Sequence, residues 1–412
     1  MSQGAPTLRR ACQAIRSRLK GASAPCAWLV TTVLMAPLAS AEPGVTNTEI
    51  VIGPCAALEG PAKFLGTQTV MGAMAYLKEV NEKGGIHGRS VRLVTYDDGY
   101  EPDRAAECFN RLSKDGIFAA AFFVGTPTAA KYVPLVQAQK LPLIGLFTGA
   151  PFLYEPVKRY VVNVRASYDD ESRQLVDNLW TELGLRKIGV IYQDDAFGSA
   201  VLGGVKKALA KYNAVPSAEG VFARNTLEVQ RAIDQVRSSG PEAVIMAGPY
   251  APVAEIVKRG RRAGWKALYL TVSFVGTEAF IESAGADAEG TVITQVVPPY
   301  KSIELPGVVM YLSALKKHFP GNKPSFASLE GFVDAMVLVE GLRRAGKELT
   351  RDKLIAAIES ISGLEIGMGP LLKLAYGPQD HKGLDNVYSS VIRQGYAVTL
   401  TNWKGLTTVS GP

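Results

Sequence analysis

From Thr48 onward, short runs rich in β-branched and aromatic residues alternate with longer stretches of helical period. That alternation leaves few folds open. EIVIG (Glu49 to Gly53) reads as a strand, and Gly66 to Glu82 as a helix with Val70, Met74 and Leu77 on one face. After the break GGIHG come the strand VRLVTYDD, a helix from Pro102 to Lys114, the strand IFAAAFFVG, a helix from Thr128 to Gln139 and the strand LPLIGLF. A βαβαβαβ order implies a parallel sheet covered by helices on both faces.

The order is interrupted once. YVVNVRAS, ending near Arg165, is an extended run without a helix before it. The alternation then restarts with helical stretches at Tyr168 to Leu183, Gly198 to Tyr212, Thr226 to Ser238 and Ala251 to Ala263. The strands between and after them are KIGVIY, AVIMAG, ALYLTV and TVITQVV. Beyond Pro298-Pro299 helices dominate, at Val308 to His318, Ala327 to Arg344 and Thr350 to Ile358, before two final strand-like runs, VYSSVIRQ and YAVTLTNW. A late return of helices suggests that the chain crosses back to its first unit. Two α/β units joined by several crossovers make a hinge. The 412 residues, 47% of them hydrophobic and 20% charged, suffice for two cores.

Residues 1–41 read as a secretory signal. Arg9, Arg10, Arg16, Arg18 and Lys20 precede the apolar stretch Ala27 to Leu38, and Ala39-Ser40-Ala41 is a small-residue cleavage site. The apolar stretch is short for a membrane span. The pair Arg9-Arg10 is a weak match to twin-arginine export, because Ala-Cys-Gln follows it. Loss of this leader takes 45 Lys and Arg to 40, against 38 Asp and Glu, and the net charge from +7 to +2. The basic isoelectric point therefore belongs largely to the leader and gives no reason to expect nucleic-acid binding. Cys55 and Cys108 remain, and an oxidising compartment permits one disulfide between them or two buried thiols.

Signatures of catalysis are weak. His87, His318 and His381 are widely spread in polar context and read as surface histidines. No HExxH, CxxC, GxSxG or GxGxxG occurs. The acidic cluster YDDGYEPDRA lacks calcium-loop spacing. Helix capping explains it more simply, with Glu101 or Asp98 at the turn, Pro102 at the first helical position and Asp103 against the dipole. Asp194-Asp195 ends another strand, as a turn or as a cleft lining. No metal or cofactor is expected.

One turn invites a ligand. In FFVGTPTAAKYVPLV (Phe122 to Val136) a strand delivers the chain to a helix N-terminus, where free N–H groups and the dipole favour an anion. The turn is too short for a phosphate loop and has no lysine, so a carboxylate held by Thr126 or Thr128 fits better.

ALEGPAKFLG, NEKGGIHGRSVRLVTYDDGYEPDRA and GTPTA, with IYQDDAFG and SLEGFVDAMVLVEGLRRAG, resemble the branched-chain amino-acid type of ABC-transporter substrate-binding protein. The resemblance covers essentially the whole exported chain. It implies the type I periplasmic-binding-protein fold: α/β, two Rossmann-like lobes with parallel-type central sheets and a multi-strand hinge. The expected lobes are 45–163 with 299–378, and 164–298 with 379–405. It further implies a carboxylate held at Thr126 and at Phe147, Thr148 and Gly149. Leu65, Phe197, Pro249 and Tyr250 would wall the pocket, with Tyr168 and Phe326 as weaker matches.

One position departs from the pattern. Where amino-acid binders of that family place an acid for the α-ammonium, this chain has Ser273. Glu330 or Asp194 substitutes for it, or the ligand has no amino group, because a buried ammonium without a carboxylate is costly. The expectation is an exported, monomeric solute-binding protein. It delivers an amino acid or an aromatic or aliphatic acid to an ABC permease, without reaction chemistry. A sensory subunit for a receptor or kinase, or an exported enzyme on the same scaffold, are the rival readings.

Overall fold

The computed structural model describes residues 42–409 except Leu371, so the expected leader lies outside the described residues. The first sheet has five parallel strands in the order Ser90–Leu93, Glu49–Gly53, Ala119–Val124, Leu143–Phe147, Val161–Val162. Its central strands AAAFFV and LIGLF are buried at every residue, as strands covered on both faces must be. The second sheet has seven strands. Ala218–Phe222, Ile188–Gln193, Ala243–Ala247, Leu268–Thr271 and Val292–Gln295 run parallel, and Tyr388–Arg393 and Tyr396–Thr399 add an antiparallel edge.

The late helices return to the first sheet. Helix Phe326–Ala345 lies against helix Lys63–Glu82 with backbones nearly touching. A Cβ on Gly72 would stand 1.7 Å from the Ser328 carbonyl oxygen, and one on Gly331 2.0 Å from that of Thr69. Glycine at both crossings is what lets the helices approach so closely. Where the chain passes between the sheets, Asn163 runs beside His381–Gly383, with Asn163 N–H donating to the His381 carbonyl (2.9 Å) and Gly383 N–H to that of Asn163 (3.0 Å).

Cys55, in the short strand Cys55–Ala56, is bonded to Cys108 on helix Pro102–Lys114 across 53 residues of sequence. A cross-link of this span typically contributes about 2–4 kcal/mol.

Some elements escape the sequence pattern. Ala218–Phe222 (AEGVF) is a strand despite its Glu and Gly, because it pairs in register with Ile188–Gln193. Thr277–Ala284 is a helix hidden behind Gly276 (φ +74°) and a 3-10 turn at Ser273–Val275.

His381 corrects the surface-histidine expectation: it is buried, between the Val161 carbonyl (2.9 Å) and the Glu359 carboxylate (3.1 Å). His318 is half-buried, and Glu79, Glu82 and His318 form a potential donor set. Lys317 already ion-pairs with both glutamates of that set.

Candidate functional site

The parallel strands of both sheets end towards one another, where open α/β sheets place ligands. On the first sheet, Ala119–Val124 runs into Gly125 and helix Thr126–Gln139. Leu143–Phe147 runs into Thr148 and Gly149. The hydroxyls of Thr126 and Thr148 are bonded to each other at 2.6 Å, and both residues are fully buried. Two residues before the end of each strand the ladder breaks. Phe122 (φ +62°) and Gly145 (φ +66°) stand between the pairs Ala121–Ile144 and Phe123–Leu146. A left-handed aromatic residue inside a strand is strained, and the register is the same on both sides of the break, so one residue faces one and none is inserted. Gly149 has no room for a side chain: a Cβ would lie 2.8 Å from the Tyr168 nitrogen.

Tyr168 opens helix Tyr168–Thr181 behind a capping box made by Ser167 and Asp170. It is fully buried. Its hydroxyl lies beside Thr126 and Thr148 but closes no hydrogen bond, and burial pushes its pKa up. A helix N-terminus, two threonine hydroxyls and a spare phenol are donors suited to a carboxylate.

The opposite wall is aromatic. Phe274, in the loop after Leu268–Thr271, is fully buried with ring centroids 4.6 Å from Phe197, 5.6 Å from Phe147 and 5.9 Å from Tyr100. Phe197 also meets Tyr168 at 5.2 Å. Leu65 closes on the same loop, since a Cβ on Gly276 would come within 2.6 Å of it. Pro249 caps helix Tyr250–Arg262, and Tyr250 touches Phe64 edge-on at 6.2 Å.

Behind this wall lies a buried charge network. The Arg165 guanidinium donates to Glu171 (2.6 Å), Glu330 (3.1 Å) and the Ser273 hydroxyl (2.5 Å). Glu171 also accepts from the Ser273 N–H (2.8 Å), the Ser273 hydroxyl (3.0 Å) and Thr294 (2.5 Å). Burial pushes the Glu330 carboxyl up to about 7 against the pull of Arg165. It pushes neighbouring Asp334 well above the carboxylate range, with Glu330 adding to the rise.

The expected residues therefore divide. Thr126, Phe147, Thr148, Gly149, Tyr168 and Phe197 come together, with Leu65 at the margin. Ser273 and Glu330 sit in the charge network behind. Pro249 and Tyr250 stand at the Phe64 contact. Phe326 stands apart: its ring is 5.0 Å from Tyr300, and both line a surface cavity of about 480 Å³. Asp194 is exposed, whereas Asp195 caps helix Ala196–Ala210. Glu101 is no side-chain cap. It reaches from the first-sheet side to Arg224 (2.8 Å) and Asn225 (2.6 Å), just beyond strand Ala218–Phe222 of the second sheet.

The sequence reading missed Phe274, Tyr100, Arg165, Glu171 and Arg224. Phe274 follows the departing Ser273 directly. An aromatic at a parallel-strand end was the available signal.

The chain matches the periplasmic binding protein family over residues 49–396. The Leu/Ile/Val-binding protein homolog 3 of Brucella melitensis is 25% identical over 329 residues, 78% of this chain and 86% of that protein. A solved structure described as a possible leucine/isoleucine/valine-binding protein from Rhodopirellula baltica superposes with a TM-score of 0.83 at 33% identity, covering 89% of this chain and 99% of that one. A fatty acid ABC transporter substrate-binding protein from Thermomonospora curvata shares the fold, with a TM-score of 0.79 at 22% identity over 87% of this chain and 93% of that one. With two α/β lobes whose strand ends meet over a threonine-lined helix N-terminus, the chain belongs to the periplasmic binding proteins, in their type I, branched-chain amino-acid class.

Proposed function

We propose that this solute-binding protein captures a small organic acid without an α-ammonium group between its lobes and delivers it to an ABC permease. The carboxylate sits at Thr126, Thr148 and Tyr168, and Phe147, Phe197 and Phe274 form the apolar wall. The two lobes close over the ligand, and the closed form is what the permease receives. Export to the periplasm accords with the family and with the leader-like residues 1–41.

The observation that carries the ligand class is the state of Glu171. It is the carboxylate that meets Ser273, and it already accepts from Arg165, Thr294 and both donors of Ser273. Glu330 is turned to the same guanidinium. An incoming ammonium would thus be buried without a free partner, at a cost of several kcal/mol. An uncharged aromatic or aliphatic tail meets no such penalty against phenylalanine rings.

Thermal shift and calorimetry on dialysed protein test this. Leucine, valine and phenylalanine are set beside their deaminated acids and phenylacetate. The acids should raise the melting temperature and the amino acids should not. Stabilisation by the amino acids alone would overturn the reading.

A further inference from the structure

Tyr100 is held in a costly backbone conformation. Its backbone is left-handed (φ +62°), with its N–H on Asp98 (2.8 Å) and its carbonyl bonded by Arg224. The Arg224 guanidinium also covers the ring, at 4.8 Å from its centroid. The ring lies over Gly125, where a Cβ would come within 2.3 Å of it. Strain of this kind persists only where surrounding contacts impose it, and it clusters at ligand sites. All of this fixes one phenol in the cleft, beside the Phe274 ring.

That phenol closes no hydrogen bond. Tyr100 is fully buried, and its hydroxyl lies beside Gln193 and Asp195 without closing a hydrogen bond. Gln193, from the second sheet, is also fully buried. Its amide nitrogen donates to Asp195 (2.5 Å), and its amide oxygen has no partner. Two buried, unpartnered polar atoms on facing lobes are rare in native interiors. One is a hydroxyl able to donate, and the other is an acceptor only. A group that satisfies both must accept from Tyr100 and donate to Gln193. A hydroxyl does this, whereas a carbonyl or a methyl does not.

We infer that Tyr100 and Gln193 form a second polar subsite, assembled from both lobes, that takes a hydroxyl of the ligand, so that the captured molecule is a hydroxy acid. The inference rests on the organic-acid reading above. It adds a specificity group that the carboxylate site at Thr126 and Thr148 does not supply.

The test compares phenylacetate with mandelate, hydroxylated next to the carboxylate, and 4-hydroxyphenylacetate, hydroxylated on the ring, by calorimetry. At least one hydroxy acid should bind roughly 10- to 100-fold tighter than phenylacetate, because the parent leaves two buried polar atoms unpaired. Which of the two gains shows where the hydroxyl lies. Tyr100→Phe should bring that hydroxy acid down to the level of phenylacetate. The unliganded melting temperature should hold, since the lost hydroxyl had no partner. Equal binding of all three acids, or a gain that survives Tyr100→Phe, overturns the hydroxyl subsite alone. Failure of all three acids while amino acids bind overturns the organic-acid reading with it.

Discussion

Two buried polar systems lie within one cleft wall of each other, and they are built on opposite terms. Around Arg165 the polar groups are matched but for one oxygen of Asp334: one guanidinium, the carboxylates of Glu171 and Glu330, and the hydroxyls of Ser273 and Thr294 hold one another. Around Tyr168 and Tyr100 they are left over: two phenols and the side-chain amide oxygen of Gln193 are buried without a bond. Desolvating a polar group costs free energy in both cases, but only the first system recovers it within the protein. The matched system therefore serves the fold, and the unmatched one has capacity reserved for something that arrives. Arg165 marks the difference well: it lies between the two sheets in sequence and reaches Glu330 of the first lobe's late helix as well as Ser273 beyond a second-lobe strand.

If this division is right, substitution should separate stability from binding. The largest effect is expected at Arg165. Arg165→Met leaves Glu171 and Glu330 buried without their cation and should cost about 3–5 kcal/mol in urea unfolding. A loss below about 1 kcal/mol would break the comparison from its matched side.

Glu278 tests the boundary, because it is half-matched. One oxygen accepts from the Phe326 N–H (3.2 Å), the other has no partner, and burial pushes the carboxyl up to about 7. Its folded pKa lies above its unfolded value, so between about pH 4.5 and 7 the folded state binds more protons than the unfolded chain. Stability from this group is full below that window and falls as pH rises through it, by about 1–3 kcal/mol. Glu278→Gln should make the pH dependence of the melting temperature between pH 5 and 8 shallower without abolishing it, because burial pushes Glu330 and Asp98 up to about 7 as well. An unchanged slope would remove Glu278 as its source.

The smallest stability effect belongs to Tyr168→Phe, within about 0.5 kcal/mol of the parent, since no bond is lost. The same change should weaken capture of a carboxylate roughly tenfold or more, read by calorimetry. A large loss of stability with unchanged affinity would make Tyr168 part of the fold and sharpen the boundary differently.

The fold was legible in the sequence because buried parallel strands leave plain apolar runs, such as AAAFFV and AVIMA, between stretches of helical period. The anion turn at Thr126 was legible for the same local reason. What was not legible depends on distant partners. Glu330 read as a candidate partner for a ligand ammonium or as a cap or ion pair within its own helix, and only the approach of Arg165, 165 residues away in sequence, shows where it is committed. Glu101 looked like a cap beside Pro102, and only Arg224 draws its side chain elsewhere. Tyr100 was one more residue of an acidic loop until its backbone angle and its unpaired hydroxyl could be seen.

The ion pair of Arg224 with Glu101 spans the mouth between the lobes, with the glutamate 44% exposed. For lobes that separate and meet, this attraction acts at 2.8 Å, well inside the screening length of about 10 Å at 0.1 M salt, and its guanidinium is only 17% exposed. A latch of that kind would be nearly indifferent to ionic strength: dissolved salt would change how fast a ligand finds the cleft far more than how long it is held.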